Sequence, residues 1–267
     1  MLQVTTYAAS TFFVAVMVYS LAVVLFLGSK EHSPRAFSLP VAMLATWVLC
    51  AGFEYYFADT GNLEIAAIFV RLAHLFGTFI AITIFYFSLT YPNNYKPVPA
   101  IRWFFILSAF FVTVLYFAKD ISALFGSSFV SEQTIIIDTY VNPGNYLGWH
   151  FGNLAIFFHI FFTCFWSLAM ATLWQRYKQQ TDPILQKQAW SMFWALTAGI
   201  VPAGFANVAL PGAGVFGLFW YGLMSSFGWV SIMAYSILKQ NQMNVKTGMT
   251  ELFIIGTILI VFIGLFV

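Results

Sequence analysis

The sequence predicts an all-α fold: a polytopic membrane bundle of seven transmembrane helices followed by an eighth C-terminal helix, with the N-terminus outside. Three observations predict it. Only 7% of the 267 residues are charged and 61% are hydrophobic, where an ordinary soluble domain carries roughly 25% charged residues. Apolar stretches of about 20 residues, the length that crosses a bilayer core, recur along the whole chain. Basic residues gather on alternate connections between them. Spanning strands with open edges would leave backbone groups unsatisfied in lipid, so the spans are predicted to be helical. The net charge of +2 is too small to point to a nucleic-acid partner.

The predicted spans run, in order, over Thr5–Gly28, Ala36–Ala58, Leu63–Tyr91, Ala100–Ala118, Gly148–Trp174, Ile184–Leu210, Gly214–Leu238 and Thr250–Val267. Helix breakers separate them: Ser33-Pro34, Thr60-Gly61-Asn62, Tyr91-Pro92-Asn93-Asn94, Asp182-Pro183 and Pro211-Gly212. Met1 to Tyr7 contains no Lys or Arg. It therefore lacks the positive region of a secretory signal, and the first stretch reads as a retained helix. Lys30, Arg35, Lys96, Arg102, Arg176, Lys178, Lys187, Lys239 and Lys246 all fall on the same side by alternation. That places these nine in the cytoplasm. Asp59, Glu64, Asp120, Glu132 and Asp138 fall on the other face. The domain reading is a seven-helix sensor bundle over 1–239, a cytoplasmic connector over 240–249 and an eighth helix over 250–267.

One external loop, 119–147, is long. Thr134–Val141 is β-prone, and Asn142-Pro143-Gly144-Asn145 suits a type II turn, with Pro second and Gly third. The loop is either a short extended lid over the bundle mouth or an irregular connector.

A charge in mid-bilayer costs about 2.5–3.5 kcal/mol on insertion scales, so intramembrane polar groups ask for partners. Arg71 lies roughly 12 Å into helix 3 at 1.5 Å per residue. His74 follows at i+3 and Thr78 at i+7, with Glu64 at i−7, which makes one polar stripe. On helix 2, Trp47 and Cys50 precede Glu54 by seven and four residues, again on one face. Glu54 lies at the depth of Arg71, so a Glu54–Arg71 ion pair is expected. It either lines an outward-facing cavity or locks helices 2 and 3 together. Helix 5 is expected to open with Trp149, His150 and Asn153. Trp149 reads as an interfacial anchor, while His150 and Asn153 share a face and could join a pocket. The candidate ligand-binding set is therefore Trp47, Glu54, Arg71, His74, Thr78, His150 and Asn153.

Other chemistry is not indicated. Cys50 and Cys164 both lie in apolar segments and read as core residues. His150 and His159 are nine residues apart, opposite on one helix, and no metal-ligand spacing occurs. No catalytic set, Walker loop, nucleotide fingerprint or cofactor motif is present, and helix 7 has no lysine to hold a retinal. Helix 6 carries Gly199, Pro202, Gly204 and Asn207, as a hinge or as ordinary packing. Gly222 and Ser226 on helix 7 form a small-xxx-small contact.

The run Arg71-Leu72-Ala73-His74-Leu75-Phe76-Gly77, then Phe85-Tyr86-Phe87-Ser88-Leu89-Thr90-Tyr91-Pro92, is followed by Gln186-Lys187-Gln188 and Asn207-Val208-Ala209-Leu210-Pro211. Ala234-Tyr235-Ser236-Ile237-Leu238-Lys239 comes next, then Met243-Asn244-Val245-Lys246 and Thr250-Glu251-Leu252. In order and spacing these resemble the N-terminal seven-transmembrane sensor region of bacterial histidine kinases, over about Arg71 to the C-terminus. Asn244 stands where that family has Asp. The resemblance implies a sensory input module in a bacterial cytoplasmic membrane, and the mixed polar and aromatic lining of the expected pocket would suit a small amphiphilic ligand. Its partner would be a cytoplasmic kinase domain in a longer protein, or a second copy in a homodimer. The family's phosphoacceptor box and ATP-binding domain are not in this sequence. Rival readings are a small transporter or channel and a membrane scaffold subunit.

Overall fold

The computed structural model describes residues 2–28, 30–93, 95–117, 136–141, 147–153, 155–210, 213–215, 228 and 230–233. Along them run α1 (Leu2–Gly28), α2 (His32–Asp59), α3 (Leu63–Thr90), α4 (Pro99–Tyr116), β1 (Ile136–Val141), β2 (Leu147–Phe151), α5 (Ala155–Gln179) and α6 (Pro183–Gly204). A π-helical segment, Phe205–Ala209, continues α6. Six of the helices are long and apolar enough to cross a membrane. The protein is a membrane-embedded, multi-pass helical bundle. The predicted seventh helix falls largely outside the described residues. The connector 240–249, the eighth helix 250–267, the Gly222–Ser226 contact and the turn Asn142–Asn145 lie wholly outside them.

Sequence chemistry sets the ends of these helices. The α2–α3 turn is a Schellman closure: Gly61 N donates to Ala58 O at 3.1 Å and Asn62 N to Phe57 O at 2.9 Å. Gly61 sits there at φ +79°, a conformation that a side chain would strain. Asn62 then caps α3, its side chain accepting from Ile65 N. Asp182 caps α6 by accepting from Ile184 N at 2.8 Å, with Pro183 in the first turn, where its missing N–H costs nothing.

α1 packs on α2, α2 on α3, α3 on α5, and α5 on α6, with α4 touching α3 along a narrower seam. The core is apolar and centred on α2 and α3, with Phe37, Leu44, Ile84 and Phe87 fully buried. α4 buries only Phe105, Val112 and Tyr116 and leaves Trp103, Ile106, Leu107 and Phe110 exposed. Such an outward apolar face is what a lipid-contacting helix presents. Asp59, Leu63, Tyr116 and Ala155 stand at one end, called here the hairpin end. Gly28, His32, Thr90, Pro99, Gln179 and Pro183 stand at the opposite, basic end.

Three expectations are corrected. Helix 5 does not begin at Gly148: Leu147–Phe151 is a strand paired antiparallel with Ile136–Val141, and the helix starts at Ala155. His150 therefore lies on a strand and Asn153 in a turn, so the two do not share a helical face. The part of the loop 119–147 that is described is extended, as a lid would be. The Ser33-Pro34 break fails too, because α2 starts at His32 and places Pro34 in its first turn.

Candidate functional site

α3 brings the sequence-predicted residues together at the hairpin end. His74 is 6% exposed. Its Nδ1 donates to Val70 O at 2.9 Å, since a carbonyl can only accept. One turn on, Thr78 Oγ1 donates to His74 O at 3.0 Å and lies 3.4 Å from Tyr116 Oη of α4. The polar stripe thus exists, and helical spacing explains it. Glu64 lies at the stripe's exposed end.

Aromatic rings from two other elements stand against His74. Phe158 of α5 stands edge-on to its ring at 5.3 Å, and Phe151 of β2 does so at 6.1 Å. Phe151 and Phe158 also flank His159, at 5.8 and 5.2 Å. Phe158 packs against Tyr116 at 6.5 Å. β1 lies against α3, so the hairpin is seated on the bundle end. Edge-on aromatic pairs of this kind contribute about 0.5–1.5 kcal/mol beyond the area they bury.

The predicted Glu54–Arg71 ion pair does not form. Arg71 is half-buried, and its Nε donates to Ala67 O at 3.4 Å. Glu54 is 1% exposed, and its Oε1 has no hydrogen-bond partner. Trp47 and Cys50 are buried on α2, as Glu54 is, in line with their common stripe. His150, on β2 opposite Asp138, and Asn153 are both exposed. They lie outside the buried cluster.

Sequence reasoning missed Tyr116, Phe151 and Phe158 and set His159 aside. None carried a periodic or motif signal that tied it to helix 3. Among the described residues no group of His, Cys, Asp and Glu could hold a metal ion. Cys50 and Cys164 are unbridged, Cys50 buried and Cys164 exposed. Comparison with protein-family models, with curated proteins and with solved structures finds no match for this chain.

Proposed function

We propose that this chain is the membrane-embedded sensory input module of a two-component histidine kinase, responding to a small or lipid-like ligand from the outer side. The seven-helix bundle would occupy 1–239 with its N-terminus outside, because the nine alternate-loop cations would then sit in the cytoplasm of a bacterium. The connector 240–249 and the helix 250–267 would carry the signal onward. The kinase resemblance rests on the ordered motifs from Arg71 to Leu252.

One observation carries the sensory reading. His74 of α3 is wedged between Phe151 of the hairpin and Phe158 of α5. Anything that displaces the hairpin must repack α3 against α5. A ligand shifts such an equilibrium only by its difference in affinity for the two arrangements, and a swing from 1:99 to 99:1 needs about 5.5 kcal/mol. The test follows the reading frame past the codon for Val267. A ninth span and a kinase core are expected there, and membranes carrying the product should form phosphohistidine from labelled ATP. A frame that stops at Val267, together with solute flux across proteoliposomes, would replace this reading with a transporter.

A further inference from the structure

Near the basic end α5 and α6 are zipped by aromatic rings, with Tyr177 and Trp190 at 4.7 Å and Trp174 and Phe193 at 5.4 Å. Toward the hairpin end the same pair lines an open cleft of about 510 Å³. Phe162, Trp166 and Met170 form its apolar wall, and Gly204 and Ala209 face them. The volume falls within the range of roughly 300–1,000 Å³ typical of small-molecule sites. A Cβ built on Gly204 meets nothing within 4 Å. Here α6 passes into the π segment Phe205–Ala209, a single-turn irregularity frequent at functional sites.

The hydroxyls of this cavity do not bond back to their own helix. Thr46, Thr83, Thr113, Thr172 and Thr197 each donate to the carbonyl one turn earlier. In an apolar surrounding that back-bond is the ordinary way to satisfy the group. Thr163 and Ser167, one turn apart on the cavity wall, are exposed and make no hydrogen bond among the described residues. Among the described residues no charged side chain lines the cleft, and an ion without a counter-charge is strongly disfavoured in such a place.

We infer that the cavity between α5 and the π-helical end of α6 binds an uncharged amphiphile. Its apolar chain lies against Phe162, Trp166 and Met170, and its hydroxyl or carbonyl head bonds Thr163 and Ser167. This site is separate from the cluster around His74 and does not depend on the kinase reading.

The test uses the full chain in phosphatidylcholine nanodiscs with a diazirine-bearing dodecanol as probe, the cross-links being mapped by mass spectrometry. Cross-links are expected on 162–170 and 204–209 and should be competed away by dodecanol. The double variant Thr163→Val, Ser167→Ala should label roughly 25-fold less, the loss of two hydrogen bonds at about fivefold each. Gly204→Leu, which grows into the cavity, should abolish labelling. On the unaltered chain, a diazirine alkane of equal length without the hydroxyl makes neither bond and should label less by the same roughly 25-fold. Equal labelling by the alkane, equal labelling by a diazirine-bearing dodecanoate, or cross-links spread over the exposed face of α4 in the same proportion would each overturn the inference. That last pattern is what bulk-lipid partitioning gives.

Discussion

At Gly52 the backbone of α2 lies tight against Thr11 and Phe12 of α1, and replacing it tests the packing directly. A Cβ at this position would stand 2.7 Å from Thr11 Oγ1 and 2.9 Å from Phe12 Cε1. Neither neighbour can yield without loss. Thr11 is fully buried and donates to Ala8 O at 2.8 Å. Phe12 packs edge-on against Phe53, at 5.0 Å between ring centres. Gly52→Ala therefore forces the helices apart or turns Thr11 away from its acceptor. Overpacking of this kind costs about 1–3 kcal/mol. Alanine recovers about 1 kcal/mol through its better helix propensity. The net expectation is a destabilisation of up to about 2 kcal/mol, read from the midpoint of SDS-induced unfolding in mixed micelles. Gly77 is the internal control. A Cβ there meets nothing within 4 Å, so Gly77→Ala should gain up to about 1 kcal/mol. If Gly52→Ala raises the midpoint as much as Gly77→Ala does, no overpacking cost is present and the close approach of α1 to α2 is refuted. The core described here would then be wrong.

Glu54→Met should raise the unfolding midpoint, because the buried Oε1 has no partner and an unsatisfied buried polar atom costs about 1–3 kcal/mol. A lowered midpoint would show that this carboxylate has a structural partner. Phe151→Ala should loosen the hairpin from His74. Limited proteolysis would then cut the segment 136–151 several-fold faster while the helical circular dichroism stays unchanged. An unchanged cleavage rate would remove the hairpin from the proposed sensing step.

The six described spans were legible because bilayer length and apolarity are properties of a single stretch. The start of α5 was not. Gly148-Trp149-His150-Phe151 is as apolar as the helix after it, and a short apolar run does not distinguish strand from helix. What decides is the partner strand Ile136–Val141, a relation between two segments that neither states alone. The site divides the same way. His74 and Thr78 were readable as neighbours from helical spacing. Tyr116, Phe151 and Phe158 reach them from other elements, which spacing along α3 cannot report. The expected Glu54–Arg71 pair failed for a related reason: depth in the bilayer fixes how high a residue stands, not which way it faces. Pro34 misled because a proline in the first turn of a helix looks, in one dimension, like one that ends it.

At its basic end α3 is gripped from both sides. Ser33 Oγ of α2 donates to Thr90 O at 3.0 Å, and Arg176 of α5 reaches Leu89 O at 3.4 Å. A cation at these last carbonyls also suits the negative pole of the helix. Any piston stroke of α3 along its axis would have to break both ties together. Each stranded buried partner would add about 1–3 kcal/mol to that stroke. Rolling or tilting about the tethered end breaks neither, so the mechanically cheap motion of this rod is a swivel rather than a slide.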